Sequence, residues 1–281
     1  MAICLNLIEP WPGPSDESTL RRVVAAFALY GVWVLTTYLL EGLPQTLLRP
    51  EAQGLRFAYT AAANLMVGTL GPLILLRRLI VTGTVTALAA GFGSHLRSAL
   101  GALLGAILGV AFLAAQAPRG TSLIVMTNVF AQVLPVSVAE VLVCWSVVGA
   151  VVGSSIGLRA SRGRQAIVVS VVASVIFGVY HAAHSAPFNT PGMIAMLTAV
   201  GAVTSAVFLL LRDVYGTIAF HNCLAVYGVL GTLVATGKVS EYGELRTPLL
   251  VTALASLVML VIARTLLLRN GAHPRPTTDV P

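Results

Sequence analysis

Eight apolar runs, each long enough to cross a lipid bilayer, dominate the chain: 23–40, 57–76, 98–116, 136–157, 166–183, 191–211, 214–235 and 247–268. A spanning helix needs roughly 20 mostly apolar residues. The hydrocarbon core offers no partner to a bare backbone, so a run of this length closes its own hydrogen bonds as a helix. Composition agrees, with 57% of the 281 residues apolar and 10% charged. The pattern predicts an all-α, polytopic membrane bundle of eight spans and excludes a soluble domain. Residues 79–97, rich in Gly and Thr and ending in His95 and Arg97, read as an interfacial or connecting helix.

The net charge of +7 does not point to nucleic acid, because of where the charge falls. With eight spans and the N-terminus inside, Arg49, Arg56, Arg119, Lys238 and Arg246 lie on one side and the other twelve of the 17 basic residues on the opposite side. Such asymmetry marks the cytoplasmic face. Both termini are therefore expected in the cytoplasm, in a bacterial plasma membrane, with membrane lipids as surroundings. The first twenty residues lack the basic–apolar–small order of a cleavable signal, so the first span reads as an uncleaved anchor. Three cysteines, Cys4, Cys144 and Cys223, imply no disulfide framework.

One membrane domain, 21–269, is expected between polar, Pro-containing tails at 1–20 and 270–281. Gly101, Gly105 and Gly109 repeat every four residues, as do Gly149, Gly153 and Gly157, and such faces let helix backbones approach closely. The run 122–157 would be about 54 Å long as one helix, too long for one straight span. Pro135 removes a donor and suits a first helical turn, so the fourth span is expected to start there. Ser122 to Leu134 would then lie at the outer surface or re-enter.

Glu140 is the one acidic side chain deep inside an apolar run. Glu41, Glu51, Asp213, Glu241 and Glu244 lie in or beside polar turns, and the remaining acids lie in the tails. A carboxylate at membrane depth costs at least ~2.5–3.5 kcal/mol, so by default it faces the protein interior or water and marks a functional site. The other strong polar groups within spans are His181 and His184 at the end of the fifth and His221 in the seventh. Carboxylate and imidazole together suit Zn²⁺ with an open water position, or acid–base chemistry with Glu140 as general base. A structural reading, in which each histidine is a hydrogen-bonded packing residue, stands beside this one.

Gly153-Ser154-Ser155-Ile156-Gly157 fits G-x-S-x-G, but without the strand-to-helix elbow that gives the motif its meaning. The only lysine, Lys238, lies in an outer loop, which excludes a Ser–Lys pair.

Glu140 before a basic loop, then Phe177-x-x-x-His181, then His221 in a later span, resembles the CAAX-protease and bacteriocin-processing family of intramembrane proteases. The resemblance covers roughly 98–235. It implies an eight-helix core and a metal-dependent endopeptidase acting on a membrane-associated peptide or protein. Glu140 would be the base, His181 and His221 would be catalytic and hold Zn²⁺, and Phe177 would pack beneath His181. His184 would sit at the cavity rim, one turn from His181 on the same face. Family precedent suggests a cavity open to the cytosol. The chain departs from the family's Glu-Glu-x-x-x-Arg and His-x-x-x-Asn patterns at Ala139, Cys144 and Ala225, which weakens the implied activity. Asn222 could replace the missing Asn only if its helix rotates. Depth is a further demand: at about 1.5 Å per residue, Glu140 and His181 lie about 25–28 Å from the inner basic loop, and His221 only ~13 Å from Arg212. The three meet if the hairpin carrying Arg159, Arg162 and Arg164 projects from the bilayer.

Two other classes fit parts of the pattern. A proton-coupled transporter would use Glu140 and the histidines as a relay, although no inverted repeat is evident. A non-catalytic relative, acting as an immunity or scaffold membrane protein, would explain the replaced motif positions.

Overall fold

The computed structural model describes residues 19–49, 51–118, 120–156 and 161–270. Most of the expected tails (residues 1–18 and 271–281), Cys4, Arg119, Gly157 and Arg159 lie outside them. Among the described residues every regular element is helical, and eight are long and apolar enough to cross a membrane. They are α1 (Thr19–Gly42), α2 (Gln53–Val81), α3 (His95–Gln116), α4 (Leu123–Ile156), α5 (Arg162–Ala183), α6 (Pro191–Leu211), α7 (Val214–Ala235) and α8 (Thr247–Leu268). Short polar side chains start several of them. Ser94, Ser122, Ser161 and Asp213 each accept a hydrogen bond from a backbone N–H three residues on, answering donors that a helix start leaves bare.

The segment between α2 and α3 differs from expectation. Residues 82–94 are a chain of turns rather than a helix, and Val85, Ala90 and Phe92 are buried against the bundle. Gly83 and Gly91 take left-handed φ values of 70° and 87°, which break the helix that the apolar residues alone would favour.

The start of α4 is a second correction. The helix begins at Leu123 and runs 34 residues without a break, with Pro135 inside it. Nearly every side chain from Val125 to Ser154 is buried. Packing on all sides holds the helix together where proline removes one hydrogen bond, as neighbouring helices commonly do within membranes. Beyond Glu140, Val141–Gly149 widen into π-helical turns. Such widenings recur at functional sites.

The glycine faces work as expected where they are described. A Cβ on Gly105 would lie 1.9 Å from the carbonyl oxygen of Gly216, and one on Gly216 would lie 2.3 Å from that of Gly101. α3 and α7 therefore meet backbone to backbone, which no larger residue would allow. Gly149 leaves only a narrow gap to Val169 of α5.

Candidate active site

Three helices bring the expected acid and imidazoles together. Oε2 of Glu140, on α4, lies 2.9 Å from Nε2 of His221 on α7. Oε1 of the same carboxylate lies 3.6 Å from Nε2 of His181 at the end of α5. All three are buried.

The depth problem resolves in helix length. Sixteen residues of α4 follow Glu140, about 24 Å of helix, whereas seven residues of α7 precede His221, about 10 Å. The α4–α5 hairpin thus carries about 14 Å more helix beyond the site than α7 does.

Each imidazole is held by its second nitrogen. Nδ1 of His181 donates to the Phe177 carbonyl at 2.9 Å, a bond made within one turn of α5. That leaves the Nε2 lone pair of His181 facing Glu140. Nδ1 of His221 lies 3.0 Å from the Thr204 hydroxyl on α6. With the hydroxyl donating, the Nε2–H of His221 donates to the Glu140 carboxylate. Phe177 packs its ring edge-on to both, with centroids 4.8 Å from His181 and 5.1 Å from His221, as expected for His181. Trp145 closes the far side: its ring lies 5.8 Å from His221, and its N–H donates to Ser205 at 2.8 Å. Trp145 is itself fully buried.

On the near side the cluster opens into a cavity of about 770 Å³. Its walls are mostly apolar, with a stripe of α6 (Met193, Met196, Leu197, Val200) and a longer face of α7 from Leu224 to Ala235. The rim lies at Leu47 and Leu48 after α1, at Ala186 after α5 and at Thr236 after α7. Loop 43–49 is pinned there. The Leu47 carbonyl accepts from Arg56 and Gln132, and the Leu48 carbonyl accepts from Lys238 at 2.9 Å.

His184 is not where a continued helix would put it. The chain tightens into a short turn at His181–Ala183 and is extended at His184. Its ring still lines the cavity beside His181, but Nδ1 turns toward α1, where it lies 2.9 Å from Oε2 of Glu41. Glu41 is the residue the sequence reading misplaced. It is wholly buried, not set in a polar turn, and also accepts from the Ser185 hydroxyl, the Ser185 N–H and the Leu47 N–H. A Cβ on Gly42 would lie 2.1 Å from the Ala183 carbonyl oxygen, so glycine is what lets Glu41 reach this turn. One signal was available: no basic residue stands between Arg22 and Arg49 to pair with this acid.

Two expectations lie off the site. Asn222 is fully buried, but neither side-chain atom has a hydrogen-bond partner, so it makes no bond to Glu140 or either imidazole. Ser155, the serine of the G-x-S-x-G match, donates to the Val151 carbonyl of its own helix at 2.8 Å, as an ordinary helix serine does.

Zinc fits this arrangement poorly. Nε2 of His221, the nitrogen that would ligate, is bonded to the Glu140 carboxylate. Among the described residues no group of three or more His, Cys, Asp or Glu is placed to hold a metal ion. What the cluster suits is proton transfer: a carboxylate between one imidazole that donates to it and one that presents a lone pair. No family model, curated protein or solved structure matches this chain.

Proposed function

We propose that the protein is an intramembrane endopeptidase in which Glu140 activates water against a membrane-associated peptide or protein. The observation that carries this reading is the Glu140 carboxylate, 2.9 Å from His221 and 3.6 Å from His181, lining a largely apolar cavity. A water between His181 and Glu140 would donate a hydrogen bond to each, which exposes its oxygen lone pair to a carbonyl carbon, and Glu140 takes one proton as the bond forms. Separations beyond about 3.5 Å between polar groups are where such bridging waters sit. His221 holds Glu140 as the ionised base and Thr204 fixes the tautomer of His221. No step needs zinc. The resemblance to the CAAX-protease family points to the same reaction class.

Buried Trp145, with its ring 5.5 Å from Phe177 and 5.8 Å from His221, stands against a transport relay that continues past the histidines. A non-catalytic, immunity- or scaffold-type role is the second reading. It is favoured by Ala139, which stands where the family has its first Glu and packs against Gly68, whose own Cβ would lie 2.5 Å from that of Ala139. No carboxylate fits there.

The basic residues make the ends of α4–α5 and α6–α7 cytoplasmic in this reading. The cavity rim at Leu47, Ala186 and Thr236 then faces the opposite side of a plasma membrane, in contrast to the family precedent.

The deciding experiment compares wild type with Glu140→Gln in detergent micelles, using an internally quenched peptide with an apolar anchor. Cleavage lost by about a hundredfold or more, with abundance and melting unchanged, is expected for a lost general base. Equal cleavage by both proteins rejects the reading.

A further inference from the structure

Glu41 and His184 form a second carboxylate–imidazole unit beside the first, with no part in activating water. The ring of His184 lies 5.3 Å from that of His181, centroid to centroid, and lines the same cavity. Its Nδ1 is taken by Glu41, and its other nitrogen, Nε2, is buried without a hydrogen-bond partner. An unpaired polar atom in such a place costs about 1–3 kcal/mol unless something uses it. The surroundings are built to keep it there. The rings of Tyr180 and Tyr59 stand nearly perpendicular to the imidazole at centroid distances of 4.8 and 6.2 Å. Tyr180 in turn stacks on Trp33 at 3.7 Å and bonds Thr37 at 3.3 Å. Glu41 accepts from four groups at once, which fixes the carboxylate before the ring meets it.

Amide cleavage requires two proton transfers at different atoms, one from water and one to the departing nitrogen. Glu140 is committed to the first. The geometry points to His184 as the catalytic residue for the second: it donates a proton from Nε2 to the leaving amine, with Glu41 as the residue that positions it. This assignment rests on the endopeptidase reading. The Glu41 carboxylate accepts the Nδ1–H and balances the charge the ring carries when Nε2 is also protonated. The steps close. Glu140 takes one proton from water while the water oxygen bonds to the carbonyl carbon, and the carbonyl π pair moves onto its oxygen. When that pair returns, the C–N bond breaks, and the nitrogen's electron pair takes the proton from His184. One water is consumed, an acid and an amine are released, and the proton left on Glu140 returns to His184 through water.

A nitrophenolate leaves without a proton, whereas an amine does not, and that difference is the test. Wild type, Glu140→Gln, His184→Ala and Glu41→Gln are assayed with the anchored quenched peptide and with a matched p-nitrophenyl ester. His184→Ala and Glu41→Gln are expected to lose about a hundredfold or more on the peptide and less than about tenfold on the ester. Added imidazole should restore part of the peptide cleavage of His184→Ala, a result that also decides the matter if Glu41→Gln fails to fold. A histidine N–H proton resonating downfield of the amides should be present in wild type and absent in His184→Ala. Equal losses on both probes, no loss on either, or no imidazole rescue overturns the assignment while leaving Glu140 in place. If Glu140→Gln cleaves both probes like wild type, or wild type cleaves neither, the endopeptidase reading falls and takes this one with it.

Discussion

Nε2 of His221 sits 2.9 Å from Oε2 of Glu140 across 81 residues of chain, and its other nitrogen is 3.0 Å from the hydroxyl of Thr204. Hydroxyl, imidazole and carboxylate form one line of polar contacts through α6, α7 and α4. In such a line the outermost group decides which imidazole nitrogen carries the proton.

Thr204→Val keeps the shape of the side chain and removes that decision. Peptide turnover is expected to fall about 10–100-fold, the usual cost of losing the partner that orients a histidine, with KM nearly unchanged. Steady-state kinetics on the anchored peptide measure both. Turnover equal to wild type would mean the threonine only packs.

Metal analysis of purified protein should find well under one zinc per chain, and dialysis against a chelator should leave peptide cleavage unchanged. The direct Glu140–His221 bond is the reason, since His221 would have to release the carboxylate to ligate. Stoichiometric zinc lost on His221→Ala would reverse the conclusion.

The proposed orientation is tested by labelling intact cells with a membrane-impermeant maleimide, in protein lacking Cys4. Cys144 and Cys223 are both buried and free. Ala186→Cys, at the exposed rim, should label from outside, and Arg162→Cys, at the exposed start of α5, only after lysis. The reverse pattern would place the cavity on the cytoplasmic side.

The α3–α7 contact makes a prediction about stability. Gly105→Ala would put a methyl 1.9 Å from the Gly216 carbonyl oxygen and force the helices apart. It should cost about 1–3 kcal/mol, as overpacking does. Gly31→Ala, on an exposed face of α1 with nothing within 4 Å, should be neutral or stabilise by up to about 1 kcal/mol. Thermal unfolding in one detergent compares them directly.

The lipid-facing architecture was legible because it depends on composition over some twenty residues at a time. Eight runs became eight helices, and Gly101, Gly105 and Gly109 found a close neighbour. Glu140, His181 and His221 were legible for a related reason: a strong polar group inside an apolar run has few alternatives to a shared pocket. What failed was local. Pro135 reads as a helix start because proline usually is one, and only packing around α4 shows that the helix passes through it. Glu41 reads as a turn residue because it ends a span beside Gly42 and Pro44. Its burial depends on the sharp turn at His181–Ala183, which rotates His184 toward α1. A turn that departs from the helix by a few residues leaves no periodic trace.

Glu140 stands at the last regular α turn before the π-helical stretch Val141–Gly149, and Trp145 within that stretch is anchored to Ser205. The phase between acid and anchor is therefore set by chain count rather than by side-chain chemistry. Removing any one residue from 141–144 would leave hydropathy almost untouched, yet swing the carboxylate by roughly a quarter turn relative to Trp145. Substitutions in this stretch are forgiven far more readily than a single-residue deletion, which would uncouple the helix from its own acid.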